Sequence, residues 1–293
     1  MRKKHVIAGW LFVTPWLIGL IFFFIQPAVN FLIYSFHDFT MGQGGYTLEP
    51  LESPFYNYVY SWTKDVNYPI RFWGAFGHFA YAVPVIVVFS LFCAILLNQD
   101  FKGRSFMRAV FFLPVIVTSG VFGLITSRGM SMAGVESSVN TTDAAMFDVT
   151  LLTSFLIESG IPQKIVDALS SAVSNVAGLI WNSGVQILIF LIGLLAIPES
   201  YYEAAKVEGA TGWETFWKIT FPVVSPFILA NLIYTFITEC MSTSNGVILY
   251  VSDLAGAHNY SLASAMMWMY FLFMLVIVAI VFFIGSKLMV SSR

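Results

Sequence analysis

The sequence predicts an all-α membrane protein with six transmembrane helices and both termini on the cytoplasmic side. Three observations predict it. Of the 293 residues, 58% are hydrophobic and only 10% charged, with a mean hydropathy of +0.80. Soluble domains carry about 25% charged residues, and a soluble core could not hide this much apolar surface, so the solvent is lipid. Apolar runs near the roughly 20 residues that a spanning helix needs recur six times. Ten of the fourteen Lys and Arg residues fall on one side of those runs, which marks that side as cytoplasmic.

The six runs are residues 6–36, 73–97, 109–127, 172–197, 223–243 and 263–290, in one transmembrane domain spanning 1–293. The first follows a basic flank, Arg2-Lys3-Lys4. It runs well beyond the apolar stretch of a signal peptide and no small-residue cleavage site follows, so it is expected to stay as a span. Gln26-Pro27 should kink it, because proline removes a ladder hydrogen bond. Residues 38–69, rich in Gly, Pro and Tyr, read as an external loop with little regular structure. Residues 130–171 form a second external segment, polar at first and amphipathic from Phe147, with a break at Gly160-Ile161-Pro162. Cys93 and Cys240 both lie in apolar runs and read as buried thiols. The net charge of −2 speaks against a nucleic-acid partner.

The inner segment 199–222 is unusually structured for a loop. Glu203-Ala204-Ala205 can open a helix with the acid near its positive end, and the small side chains permit close approach by another protein. Gly209 permits a turn closed to other residues. Phe216 and Ile219 follow at helical spacing, and Pro222 and Pro226 begin the next span. The result is a short helix, a turn and a second short helix on the membrane face.

This stretch resembles the EAA motif of binding-protein-dependent ABC transporter permeases. The pattern is met at Glu203, Ala204, Ala205, Gly209, Ala210, Phe216, Ile219, Pro222 and Pro226, with Glu208 where Asp is usual. Residues 11–36, 95–114, 179–205 and 261–268 are also similar to carbohydrate-type (maltose-type) members of that family. The usual Gly-Gly-Pro after the fifth span is absent, residues 252–259 stand in its place, and 130–171 is longer than usual. The resemblance implies the type I permease fold of ABC importers in a bacterial cell membrane. It implies that Glu203, Ala204, Ala205, Glu208, Gly209 and Ala210 form a coupling helix docked on a cytoplasmic ATPase. The implied partners are a second homologous permease, two ATPase subunits or domains, and an extracytoplasmic binding protein that delivers a sugar, with an oligosaccharide favoured. The chain has no phosphate-binding loop, so no cofactor is expected on it, and ATP and Mg belong to the partner ATPase. It also lacks a nucleophile motif or metal-ligand spacing and is not expected to be an enzyme.

Polar residues inside the spans mark the candidate pathway. Asn231, Thr235, Glu239 and Ser242 recur at helical spacing on the fifth run, and Asn182 and Gln186, with Ser183 beside them, do so on the fourth. Glu239 is the only acidic residue well inside a predicted span, and a charge there costs roughly 2.5–3.5 kcal/mol on insertion scales, which makes it a functional candidate. Amides, hydroxyls and a carboxylate suit sugar hydroxyls. The family resemblance places pocket contacts at Asn182, Ser183, Gln186, Thr235, Glu239 and Ser242. Two alternatives stay open: these groups also suit hydrogen bonds between helices, and Glu239 also suits an ion pair with a second permease. His78 and Tyr81 read as helix packing. An ion-coupled secondary transporter is the alternative function, although it leaves segment 199–222 unexplained.

Overall fold

The computed structural model describes residues 2–42, 45–51, 53–99, 102–103, 106–107, 109, 111, 162–242 and 244–291. Helix α1 (Arg2–Leu20) passes through a π-helical turn (Ile21–Ile25) into α2 (Gln26–Ser35). A hairpin of β1 (His37–Gly42) and β2 (Gly45–Pro50) follows, then α3 (Tyr56–Thr63) and the long α4 (Asn67–Asn98). Next come α5 (Gln163–Asn182), α6 (Gly184–Leu195), α7 (Glu199–Val207) and α8 (Gly212–Thr215). A second π-helical turn (Phe216–Thr220) leads into α9 (Phe221–Cys240), followed by α10 (Gly246–Gly256) and α11 (Tyr260–Ser291).

Among the described residues, four helical runs are long and apolar enough to cross a bilayer: Phe12–Ser35, Asn67–Asn98, Gly212–Cys240 and Tyr260–Lys287. A fifth is present if the bent pair α6 and α7, which meet at 63°, counts as one. The run 109–127 lies almost wholly outside the described residues, as does 130–161. The expected span 172–197 is not one helix, since Ser183 interrupts it between α5 and α6. Pro222 lies in the first turn of α9 and Pro226 inside it, both within the continuous run Gly212–Cys240.

Both π-helical turns stand in the same place relative to a proline. Each ends two residues before a proline, Pro27 in one case and Pro222 in the other. A proline ring clashes with the carbonyl four residues back and donates no hydrogen bond. The chain inserts one extra residue per turn: the Gln26 N–H bonds to Ile21 O and the Phe221 N–H to Phe216 O, each five residues back. At Gln26-Pro27, where a kink is expected, the ladder is disturbed by a π turn within a run continuous from Phe12 to Ser35.

The described chain falls into two compact units. One comprises residues 1–77 and 241–277. Here residues 38–69 are far more regular than expected, since they hold most of the hairpin and all of α3. The β1–β2 register pairs Phe39 with Leu48 and Thr40 with Thr47, whose hydroxyls lie 2.6 Å apart. That alternation was hidden by the glycines of the hairpin tip. Asp65 caps α4, accepting from the N–H groups of Asn67 (2.8 Å) and Tyr68 (3.0 Å). Its second oxygen accepts from Tyr250 Oη at 2.6 Å. Tyr68, fully buried, donates to the Met266 carbonyl at 2.8 Å, and Asn245 Nδ2 donates to Tyr270 Oη at 2.7 Å.

The other unit comprises residues 78–240 and 278–293. Its core joins Val87, Ala94 and Leu97 of α4 to Ile187, Phe190 and Leu194 of α6 and Val224 of α9. Cys93 belongs to the same core, and Cys93 and Cys240 are both buried. Helices α6 and α9 approach closely: a Cβ on Gly193 would lie 2.7 Å from the Phe227 ring. Gly285 of α11 meets Leu229 of α9 in the same way.

Candidate functional site

Segment 199–220 is built by its own backbone chemistry. Helix α7 opens at Glu199, so Glu199, rather than Glu203, is the acid at the positive end of the dipole, and Lys206 lies in the last turn. The helix ends in a Schellman motif, with Gly209 N–H donating to Lys206 O (3.1 Å) and Ala210 N–H to Ala205 O (2.9 Å). The motif requires a left-handed residue, and Gly209 supplies it at φ 73°. Thr211 then caps α8 in a reciprocal box: its Oγ1 accepts from Glu214 N–H, and its own N–H donates to Glu214 Oε2 at 2.9 Å. Glu214 also lies 3.8 Å from Lys218.

This device has an anchored side and an open side. Ala205 is buried, Ile219 packs against the core of its unit, and Tyr202 Oη lies 3.2 Å from Thr220 Oγ1. Glu203, Ala204, Glu208 and Gly209 are exposed, and Ala210 is half-buried. Val207 is 90% exposed and Trp213 71%, so large apolar groups stand out beside the charged ones. A Cβ on Gly209 would meet nothing within 4 Å.

The polar residues of α6 and α9 meet in the interior of the same unit. Gln186 Nε2 donates to Thr235 Oγ1 at 3.2 Å, and Asn231 Nδ2 donates to the Gln186 carbonyl at 3.2 Å. Asn231, Thr235 and Gln186 are essentially fully buried. Gln186 Oε1 and Asn231 Oδ1 have no hydrogen-bond partner among the described residues. A buried amide oxygen left so costs about 1–3 kcal/mol. Ser183 is buried and donates to the Ile180 carbonyl at 3.1 Å.

Two expected groupings do not form. Asn182 ends α5 exposed, whereas Gln186 is buried beyond the break at Ser183, so the pair does not share one face. Helix α9 stops at Cys240, which takes Ser242 off the face of Asn231, Thr235 and Glu239. Ser242 Oγ instead lies 2.7 Å from Ser244 Oγ. Glu239 accordingly occupies the last turn of α9, at the negative end of the helix dipole. His78 Nδ1 of α4 approaches its Oε2 to 3.9 Å. The imidazole is 48% exposed and the carboxylate 10%. His78, expected to serve packing, thus stands beside Glu239; an ionisable group within an apolar span, the criterion that selects Glu239, is the signal that also marks it.

These features define a helical membrane protein whose segment 199–220 is a capped, partly exposed helix–turn–helix. Residues 71–288 match the family of binding-protein-dependent transport system inner membrane components, and the chain belongs to that family. It is similar to a probable ABC transporter permease of Bacillus subtilis (strain 168), with 31% identity over 97% of this chain and 91% of the relative. It is also similar to the lactose transport system permease protein of Rhizobium radiobacter, with 26% identity over 83% of this chain and 74% of that one. Among solved structures, a chain of a bacterial alginate ABC transporter in complex with an alginate pentasaccharide-bound periplasmic protein shares the fold. The TM-score is 0.65 at 15% identity, covering 98% of this chain and 97% of that one.

Proposed function

We propose that this chain is the permease subunit of an ATP-driven importer that carries a sugar, with an oligosaccharide favoured, across the cytoplasmic membrane of a bacterium. The observation that carries the reading is the segment 199–220, a capped, anchored docking device with its glycine turn exposed. The sugar rests on relatives such as the lactose permease. On this reading residues 1–293 form one transmembrane domain with six spans and cytoplasmic ends.

The mechanism is alternating access. Two ATPase subunits bind ATP and Mg, close, and carry Glu203, Ala204, Ala205, Glu208, Gly209 and Ala210 with them. Ile219 and Tyr202 link that motion to the core that packs α6 on α9. Movement of α6 against α9 re-pairs the Gln186, Asn231 and Thr235 cluster, whose two unpartnered amide oxygens make the present pairing incomplete. A second, homologous permease completes the pathway, and an extracytoplasmic binding protein delivers the solute. Ser183, Gln186, Thr235 and Glu239 are the proposed solute contacts. Purification of the chain with its co-expressed neighbours tests this. ATP hydrolysis stimulated by sugar-loaded binding protein supports it, and a complex that contains no ATPase refutes it.

A further inference from the structure

We infer that α3 lies along the membrane surface, with Phe55, Tyr56, Val59, Trp62 and Val66 set against the phospholipid of the leaflet on the hairpin side. The inference goes beyond the importer reading and does not depend on it. Helix α3 is inside out. Asn57 and Ser61, one turn apart, are buried. Asn57 Nδ2 donates to the Ser35 carbonyl at 3.0 Å, and Ser61 Oγ donates to the Asn57 carbonyl at 2.7 Å. Tyr58 Oη lies 2.8 Å from the buried Ser35 Oγ. The polar face of α3 thus closes the end of α2, where helix carbonyls lack partners of their own. Val59 lies two residues from both Asn57 and Ser61, which puts it on the opposite face. It is 57% exposed, with Phe55, Tyr56 and Trp62 exposed beside it. A surface helix in water shows the reverse arrangement.

Continuity and composition choose lipid as the occupant. Val66 (72% exposed), Ile70 and Trp73 follow at helical spacing and carry the exposed apolar surface into α4. That helix is one of the runs long and apolar enough to cross a bilayer. Tyr56, Tyr60 and Trp62 are rings of the kind that gather at the membrane–water boundary. Trp62 Nε1 donates to Met269 Sδ at 3.1 Å, so its N–H is satisfied inside the fold. Lys64 Nζ lies 5.9 Å from the Tyr56 ring centroid and 6.0 Å from that of Tyr60. Its stem covers apolar surface while the ammonium stays at headgroup level. The eight residues of α3 include no acid. The hairpin is the contrast: Asp38 and Glu49, both exposed, pair across it and belong in water. A partner that docks and leaves would return the α3 face to water at each cycle, whereas lipid covers it throughout.

Spin-label EPR reads the depth of α3. A nitroxide is attached at Val59→Cys and, separately, Val66→Cys, in the chain purified with its co-expressed neighbours and placed in phosphatidylcholine–phosphatidylglycerol nanodiscs. Glu49→Cys is the aqueous reference, and the wild type treated alike gives the blank. Relaxation by oxygen, which concentrates in lipid, is compared with relaxation by a water-soluble nickel chelate. The oxygen-to-nickel ratio is expected to be about fivefold higher at residues 59 and 66 than at 49, as suits a face buried about 5–10 Å into the headgroup–acyl boundary. Ratios equal to that at 49 place the face in water and overturn the inference. Exclusion of both oxygen and nickel shows a covering protein, such as a second permease, and overturns it too. Each labelled complex is compared at unchanged size, and if one label prevents assembly the other decides. ATP hydrolysis stimulated by loaded binding protein is measured on the unlabelled complex; its absence beside a lipid signal counts against the importer reading alone.

Discussion

At the scale of single residues, Gly209 carries the clearest demand. Its φ of 73° excludes β-branched residues, while a Cβ there has open space on every side. Gly209→Val should therefore strain the turn, whereas Gly209→Asn should be accommodated, because asparagine tolerates the left-handed region. We expect binding-protein-stimulated ATP hydrolysis to fall at least about tenfold in the valine variant and to persist in the asparagine one, a difference of ~1.4 kcal/mol. Thr211→Ala removes the cap of α8 and should cost about 1 kcal/mol locally. Faster amide exchange over residues 211–216, with unchanged exchange in α4, is the expected readout. The glycine was legible because a turn between two helical patterns requires one. The proximity of His78 to Glu239 was not, because it arises from packing between helices distant in sequence.

At the scale of elements, close approaches between helices govern the outcome. Gly193 has no room for a side chain against Phe227, and Gly285 none against Leu229. Gly193→Val should push α6 from α9 and destabilise the fold by about 1–3 kcal/mol, seen as a lower melting temperature in detergent. Adding Phe227→Leu should recover part of that loss. Gly19 is the contrasting position, with nothing within 4 Å of a Cβ, so Gly19→Ala should leave the melting temperature unchanged. Periodicity located the four long helical runs to within several residues at most ends. It missed two kinds of feature. The hairpin in 37–50 was masked by its glycines and proline, and the break at Ser183 leaves no mark in an apolar run that continues through it. The π turns were half legible: Pro27 and Pro222 announced a disturbed ladder without saying how the chain absorbs it.

At the scale of the whole molecule, composition decided the solvent and segment 199–222 decided the family, and residues 71–288 agree with that assignment. Solute identity was the least legible property, because it depends on which side chains of separate helices face the same space. On the proposed reading, energy reaches the chain through segment 199–220. The most direct test is uptake of a labelled saccharide into proteoliposomes holding the chain with its co-expressed neighbours and binding protein. The account predicts uptake that requires ATP, persists after ion gradients are collapsed, and is abolished by Gly209→Val. Uptake without ATP that follows a proton or sodium gradient would contradict it and favour an ion-coupled secondary transporter.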